Sequence, residues 1–160
     1  MELSTFVSQF FSGLSYAMVL YGVTLGLVVI FSIMDIVNIS HGSLYMLGAF
    51  AGYSIWKALL PVIPGALWVS IILAGVVIGA CGVVLERLLR PLYIRGHLDQ
   101  ILFTFGFIFI IQDAVKLFWR HETLNVELPA GLTGNVEIAG GVVSSYNLFL
   151  IVIILFIAGC

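Results

Sequence analysis

Charge is scarce in this chain: 9% of its 160 residues are Asp, Glu, Lys or Arg. A soluble globular domain carries roughly 25%. With 62% hydrophobic residues, a water-soluble fold of this length could not hide its apolar surface, so the chain reads as an integral membrane protein. The few charges are balanced, six basic against eight acidic, which leaves no basic stripe for nucleic acid. Cysteine is nearly absent. Cys81 and Cys160 sit in apolar runs with no His beside them, which argues against a metal site and for small buried hydrophobes. A secretory signal is also missing. Residues 1–11 carry Glu2 but no Lys or Arg, and the following apolar run is longer than a signal core, so it reads as a retained first span. There is no His-Glu-x-x-His, no paired Cys, no Gly-x-Ser-x-Gly and no Gly-rich phosphate loop. No cofactor, metal or bond-making chemistry is expected.

What the chain does have is long apolar runs. Crossing about 30 Å of hydrocarbon takes roughly 20 helical residues. The pattern predicts an all-α polytopic membrane bundle in one transmembrane domain, with full spans over 12–33, 41–60, 65–85 and 100–119. A fifth begins at 146–160; it stays apolar to its last residue, which is expected of a span cut partway. Gly22 with Gly26, Gly48 with Gly52, and Gly75 with Gly79 have the small-xxx-small spacing that lets helix backbones approach closely, so they read as packing positions. Arg87, Arg90 and Arg95 cluster in the short link after the third span and predict a cytoplasmic face there. Glu86 is placed to pair with Arg90, and Pro91 to stop the helix. The link 120–145 then lies outside. In it Asn125–Leu128 and Asn135–Ile138 echo one another around a turn-rich stretch, which predicts a short β-hairpin.

Between the first two spans lies a polar knot: Asp35, Asn38, Ser40 and His41 within seven residues. Ionisable groups at membrane depth are expensive and read as functional by default. Ser40 is placed to cap the second helix with its hydroxyl. Two readings stay open for the knot, a capped helix turn and a gate or permeation element. Gln112 and Asp113 in the fourth span are a second polar spot. Asp113 lies three residues before Lys116, so either the pair neutralises itself at the membrane surface or the two residues line a substrate path.

Val37-Asn38-Ile39-Ser40-His41-Gly42-Ser43-Leu44-Tyr45-Met46-Leu47-Gly48-Ala49 resembles the Asn-x-x-His-Gly-x-x-Tyr-Met-x-Gly signature of the branched-chain amino acid ABC transporter permeases. Glu86-Arg87, Arg90-Pro91, the run from Phe105-Gly106 to Gln112, and Glu127-Leu128-Pro129 look like later blocks of that family, in its order. The resemblance covers nearly the whole chain. Ser40 stands where an alanine is common, and family members run to nearly twice this length, so the coupling segment that grips the ATPase is expected in the other half.

The resemblance implies a multi-pass permease subunit of the bacterial inner membrane, not itself an enzyme. It implies a heterodimer with a second permease subunit, two cytoplasmic ATPase subunits and a periplasmic substrate-binding protein. The implied cargo is branched-chain or related amino acids; relatives carry urea or amides. Asn38, Ser40, His41, Gly42 and Tyr45 are the candidate translocation-path residues, with Asp35, Gln112 and Asp113 as further polar lining. Two rival readings predict different behaviour. A passive small-molecule channel would conduct without ATPases, and a structural membrane subunit would use its polar groups only to satisfy one another.

Overall fold

The computed structural model describes residues 3–63, 65–120, 124, 126, 131–138 and 140–159. Its elements in chain order are α1 (Leu3–Met34), α2 (His41–Leu59), α3 (Ala66–Leu89), a 3-10 turn (Arg90–Leu92), α4 (His97–Trp119), β1 (Asn135–Ile138), β2 (Gly141–Ser144) and α5 (Ser145–Gly159). Among the described residues three helical stretches are long and apolar enough to cross a membrane: Leu3–Met34, Ala66–Leu92 and His97–Trp119.

Of the four full spans expected, three meet that measure of length and composition. The second segment does form a helix, of 19 residues, but His41, Gly42, Ser43, Ser54 and Lys57 dilute its hydropathy. The first span begins earlier than expected, because nothing in residues 3–11 breaks the helix; α1 runs for 32 residues. Hydroxyls along α1 bond back to its own carbonyls, Ser8 to Ser4, Ser15 to Ser12 and Thr24 to Leu20. That satisfies these three hydroxyls on an apolar helix.

Two compact units divide the chain, one of Met1–Val28 with Glu127–Cys160 and one of Val29–Val126. In the first, β1 and β2 pair antiparallel, with Asn135 opposite Ser144 and Ile138 opposite Gly141. The expected hairpin exists, but its second strand lies C-terminal to Ile138. Gly140 at φ +78° turns the chain back there, and β-branched Val142 and Val143 supply the new strand. Most of the proposed partner 125–128 lies outside the described residues. β2 rests on the start of α1. A Cβ on Gly141 would stand 2.8 Å from the Ser4 carbonyl oxygen and 2.9 Å from Val7 Cβ, so only glycine fits. Farther along, a Cβ on Gly22 would meet Ile154 of α5 at 3.7 Å, and the Asn147 amide donates to Ser12 Oγ at 3.5 Å.

The second unit is a helical layer around Ile36, Leu44, Leu85, Leu89, Ile111 and Val115. α2 and α3 run antiparallel at close approach: a Cβ on Gly48 would lie 3.3 Å from Ile78, and one on Gly52 3.5 Å from Ala74. Positions 75 and 79 of α3 face open space in this chain, with nothing within 4 Å of either Cβ position. α4 runs parallel to α2. Ile39 bonds to Thr104 and Ser54 to Trp119, a separation of 65 residues at both ends. α3 ends at Leu89, and Pro91 sits in the 3-10 turn that follows.

Candidate functional site

The site is the break between α1 and α2. α1 stops because Asp35 takes the left-handed conformation, φ +53°, while its N–H still reaches the Phe31 carbonyl at 2.9 Å. That is the usual helix-ending geometry, filled here by Asp rather than Gly. Beyond it the backbone donors must be satisfied without helix or solvent. Val37 N–H donates to Gln100 Oε1 at 3.0 Å, and Ile39 N–H to Thr104 Oγ1 at 3.3 Å. Ser40 gives both its N–H, at 3.0 Å, and its hydroxyl, at 2.6 Å, to Asn38 Oδ1. His41 N–H closes onto the Asn38 carbonyl at 3.4 Å and starts α2.

Ser40 occupies the cap position but does not cap through its side chain. Its φ and ψ, −72° and 0°, are already helical, whereas a capping hydroxyl needs the extended region to reach the first-turn amides. The hydroxyl turns to Asn38 instead. Asn38 and Ser40 are buried, and so are Gln100 and Thr104, the last with no exposed surface. His41 is half-buried, and Gly42 and Tyr45 are exposed. His41 and Tyr45 are four apart on one face of α2. The knot thus has two parts, a sealed inner pair and an outward face of His41, Gly42 and Tyr45. Asp35 is exposed beside it, its Oδ2 3.4 Å from Nε2 of His97 at the start of α4.

Gln100 and Thr104 are the functional-site residues that motif reading missed. Their signal is present: two polar residues at i and i+4 on one face of a mostly apolar helix. Gln112 and Asp113 do not join them. They lie about 18 Å or more along the helix axis from Gln100 at 1.5 Å per residue, and Asp113 pairs with Lys116 at 3.3 Å. Among the described residues no cluster of His, Cys, Asp or Glu could hold a metal ion.

A profile described as branched-chain amino acid transport system / permease component matches residues 9–160. The chain belongs to this permease family. Curated relatives agree. The high-affinity branched-chain amino acid transport system permease protein BraD of Pseudomonas aeruginosa is 25% identical over 98% of this chain and 53% of its own length. The corresponding protein LivH of Salmonella typhimurium is 25% identical over 81% of this chain and 43% of its own. The chain therefore spans about half the length of the curated relatives it matches. No solved structure matches. Membership of a permease family and three apolar helices make this a multi-pass membrane protein.

In this permease the arginine-bearing link sits near the break. Leu85 and Leu89, just before it, share a buried cluster with Ile36 and Leu44. Glu86 and Arg90 pair at 3.1 Å, and the Tyr93 hydroxyl donates to the same Glu86 oxygen at 3.4 Å. Burial first, and the Glu86 carboxylate second, push the Tyr93 phenol above its ordinary value and keep it a donor.

Proposed function

We propose that this chain is part of the permease subunit of an ATP-driven ABC importer that carries branched-chain or related amino acids across the bacterial inner membrane. The observation that carries the reading is the interrupted α1–α2 pair. A helix break inside an apolar chain has its backbone stitched to α4 by Gln100 and Thr104, while the signature residues His41, Gly42 and Tyr45 remain on an open face. Irregular backbone in a membrane protein is tolerated where it lines a cavity or is buried in protein, and transporters build substrate sites at helix breaks.

On this reading Asn38 and Ser40 hold the break in shape, and His41, Gly42 and Tyr45 line the translocation path. Asp35 lies at the mouth. Gln112 and Asp113 line a more distant stretch of that path. α2 serves as a further span inside the assembly, where neighbours cover its polar residues. Gly75 and Gly79, open in this chain, pack against the remainder of the permease or its partner. Arg87, Arg90 and Arg95 face the cytoplasm. ATP hydrolysis belongs to separate ATPase subunits, and a second permease and a periplasmic binding protein complete the machine.

The test is radiolabelled leucine uptake into proteoliposomes holding the full-length permease, its partner, the ATPases and the binding protein. ATP-dependent uptake competed by valine and isoleucine is expected, and His41→Leu is expected to abolish it while membrane insertion stays normal. Leucine uptake indifferent to ATP would overturn the importer. Uptake that survives His41→Leu would reduce the break to a turn.

A further inference from the structure

At the end of the second unit away from the break, the last turns of α2 and α4 frame a cavity of about 520 Å³. Its lining includes Tyr53, Ser54 and Lys57 from α2, and Phe118, Trp119 and Arg120 from α4 and the residue after it. Among the described residues the lining holds two cations and no carboxylate, a charge balance that suits an anion. Among the described residues no Asp or Glu pairs with Lys57 or Arg120. Lys57 lies over the Tyr53 ring, its Nζ 6.0 Å from the centroid.

Two further polar side chains of the lining, Ser54 and Trp119, are already committed. Trp119 Nε1–H donates to Ser54 Oγ at 2.6 Å, and the Ser54 hydroxyl donates to the Phe50 carbonyl at 3.1 Å. These bonds fix the indole ring as one apolar wall. Phe50 packs on that ring with centroids 5.6 Å apart, and Phe118 at 5.9 Å. A ligand must therefore take its charge-assisted bonds from Lys57 and Arg120 and lay apolar surface on Phe118 and Trp119.

Depth decides what kind of anion this is. α4 has 23 residues, so it is about 35 Å long. The hydrocarbon core is about 30 Å thick, which places Trp119 and Arg120, at the helix end, among the lipid headgroups. Tyr and Trp with Lys and Arg at that level form the interfacial belt of membrane proteins. A cavity of this volume holds a ligand larger than one small amino acid. We infer that this cavity binds the phosphate-bearing headgroup of an anionic phospholipid, with Lys57 and Arg120 on the phosphate and Phe118 and Trp119 against the start of the acyl chains.

The experiment is native mass spectrometry of the assembled full-length permease complex, exchanged into mixed micelles of phosphatidylglycerol and phosphatidylcholine with identical acyl chains. The wild type is expected to retain phosphatidylglycerol over phosphatidylcholine by about 10- to 30-fold, at roughly fivefold per cation. K57Q/R120Q is expected to lose that preference, and K57R/R120K to keep it. The single variants K57Q and R120Q, each expected to lose about fivefold, serve if the double variant does not assemble. Equal retention of the two lipids by the wild type overturns the proposal, as does a preference unchanged in the glutamine variants. Displacement of phosphatidylglycerol by millimolar inorganic phosphate would make this a free-anion site and overturn it too.

Discussion

Thr104→Val removes one oxygen from the stitching of the break and keeps the side chain's shape. Thr104 has no exposed surface, and its Oγ1 does two things. It donates to the Gln100 carbonyl at 2.8 Å, with the Ile101 carbonyl a second acceptor at 3.2 Å, and it accepts from Ile39 N–H at 3.3 Å. The first loss is cheap, because that carbonyl keeps its place in the helix ladder. The second leaves an amide without a partner. An orphaned buried donor costs about 1–3 kcal/mol; the Ile39 bond is long and only part-buried, so the lower half of that range, about 1–2 kcal/mol, applies. That is a factor of about 5–30 in the folded-to-unfolded ratio. The assay is SDS-induced unfolding in mixed micelles followed by circular dichroism, with Thr104→Ser as the control that keeps the hydroxyl. The serine variant keeps the hydrogen bonds and loses one buried methyl, so it should cost about 0.8 kcal/mol, less than valine. If valine and serine variants unfold alike, Ile39 N–H has another acceptor and the stitching argument fails.

Substitutions at three further positions probe other joints. Gly141→Ala puts a Cβ 2.8 Å from the Ser4 carbonyl and 2.9 Å from Val7 Cβ, so β2 must lift from α1 at a cost of about 1–3 kcal/mol; a thermal melt in detergent as stable as wild type would refute that packing. At Gly48 the nearest atom is the side chain of Ile78, 3.3 Å away. Alanine there should be absorbed by a small shift, and leucine should abolish assembly with the partner subunits on size-exclusion chromatography. Asp35→Gly removes the strain of an L-residue at φ +53°, worth about 1 kcal/mol. It gives up a contact with His97 whose side chains are 53% and 77% exposed, which contributes little. The glycine variant should unfold at equal or higher SDS than wild type, and Asp35→Val at clearly lower SDS.

Hydropathy made most of the helices legible, because apolar runs in lipid have few alternatives to helix. The observed helix starts and ends fall close to the apolar boundaries, except where polar residues continue a helix without breaking it, as at Leu3 and at Glu86–Leu89. The hairpin was legible as a hairpin but not in its pairing. The Gly140-Gly141 turn sat outside the echo of Asn-Val-Glu that drew the eye, and a local repeat carries no information about register. At the site, the knot itself stood out because polarity is rare in such a chain. Its partners did not. Gln100 and Thr104 come from 63 and 65 residues away in sequence, and no local rule says which distant helix will satisfy an unwound amide. Ser40 misled for a related reason: its position suits a cap, but the backbone dihedrals that decide capping depend on Asn38 two residues earlier.

The two hydrogen bonds that share a 65-residue separation constrain how this permease can move. One ties the break to the first turns of α4, and the other ties Ser54 near the end of α2 to Trp119 at the end of α4. Sliding α2 along α4, or tilting one from the other, would break at least one of them. α2 and α4 should therefore move as one body, carrying the break and its open face of His41, Gly42 and Tyr45 with them. Hydrogen exchange tests this on the assembled complex. Amides of α2 and α4 facing the shared core should exchange in step, and Thr104→Val should speed both helices together. Exchange that accelerates in one helix while the other stays protected would show that they open independently, and the single-body account would fail.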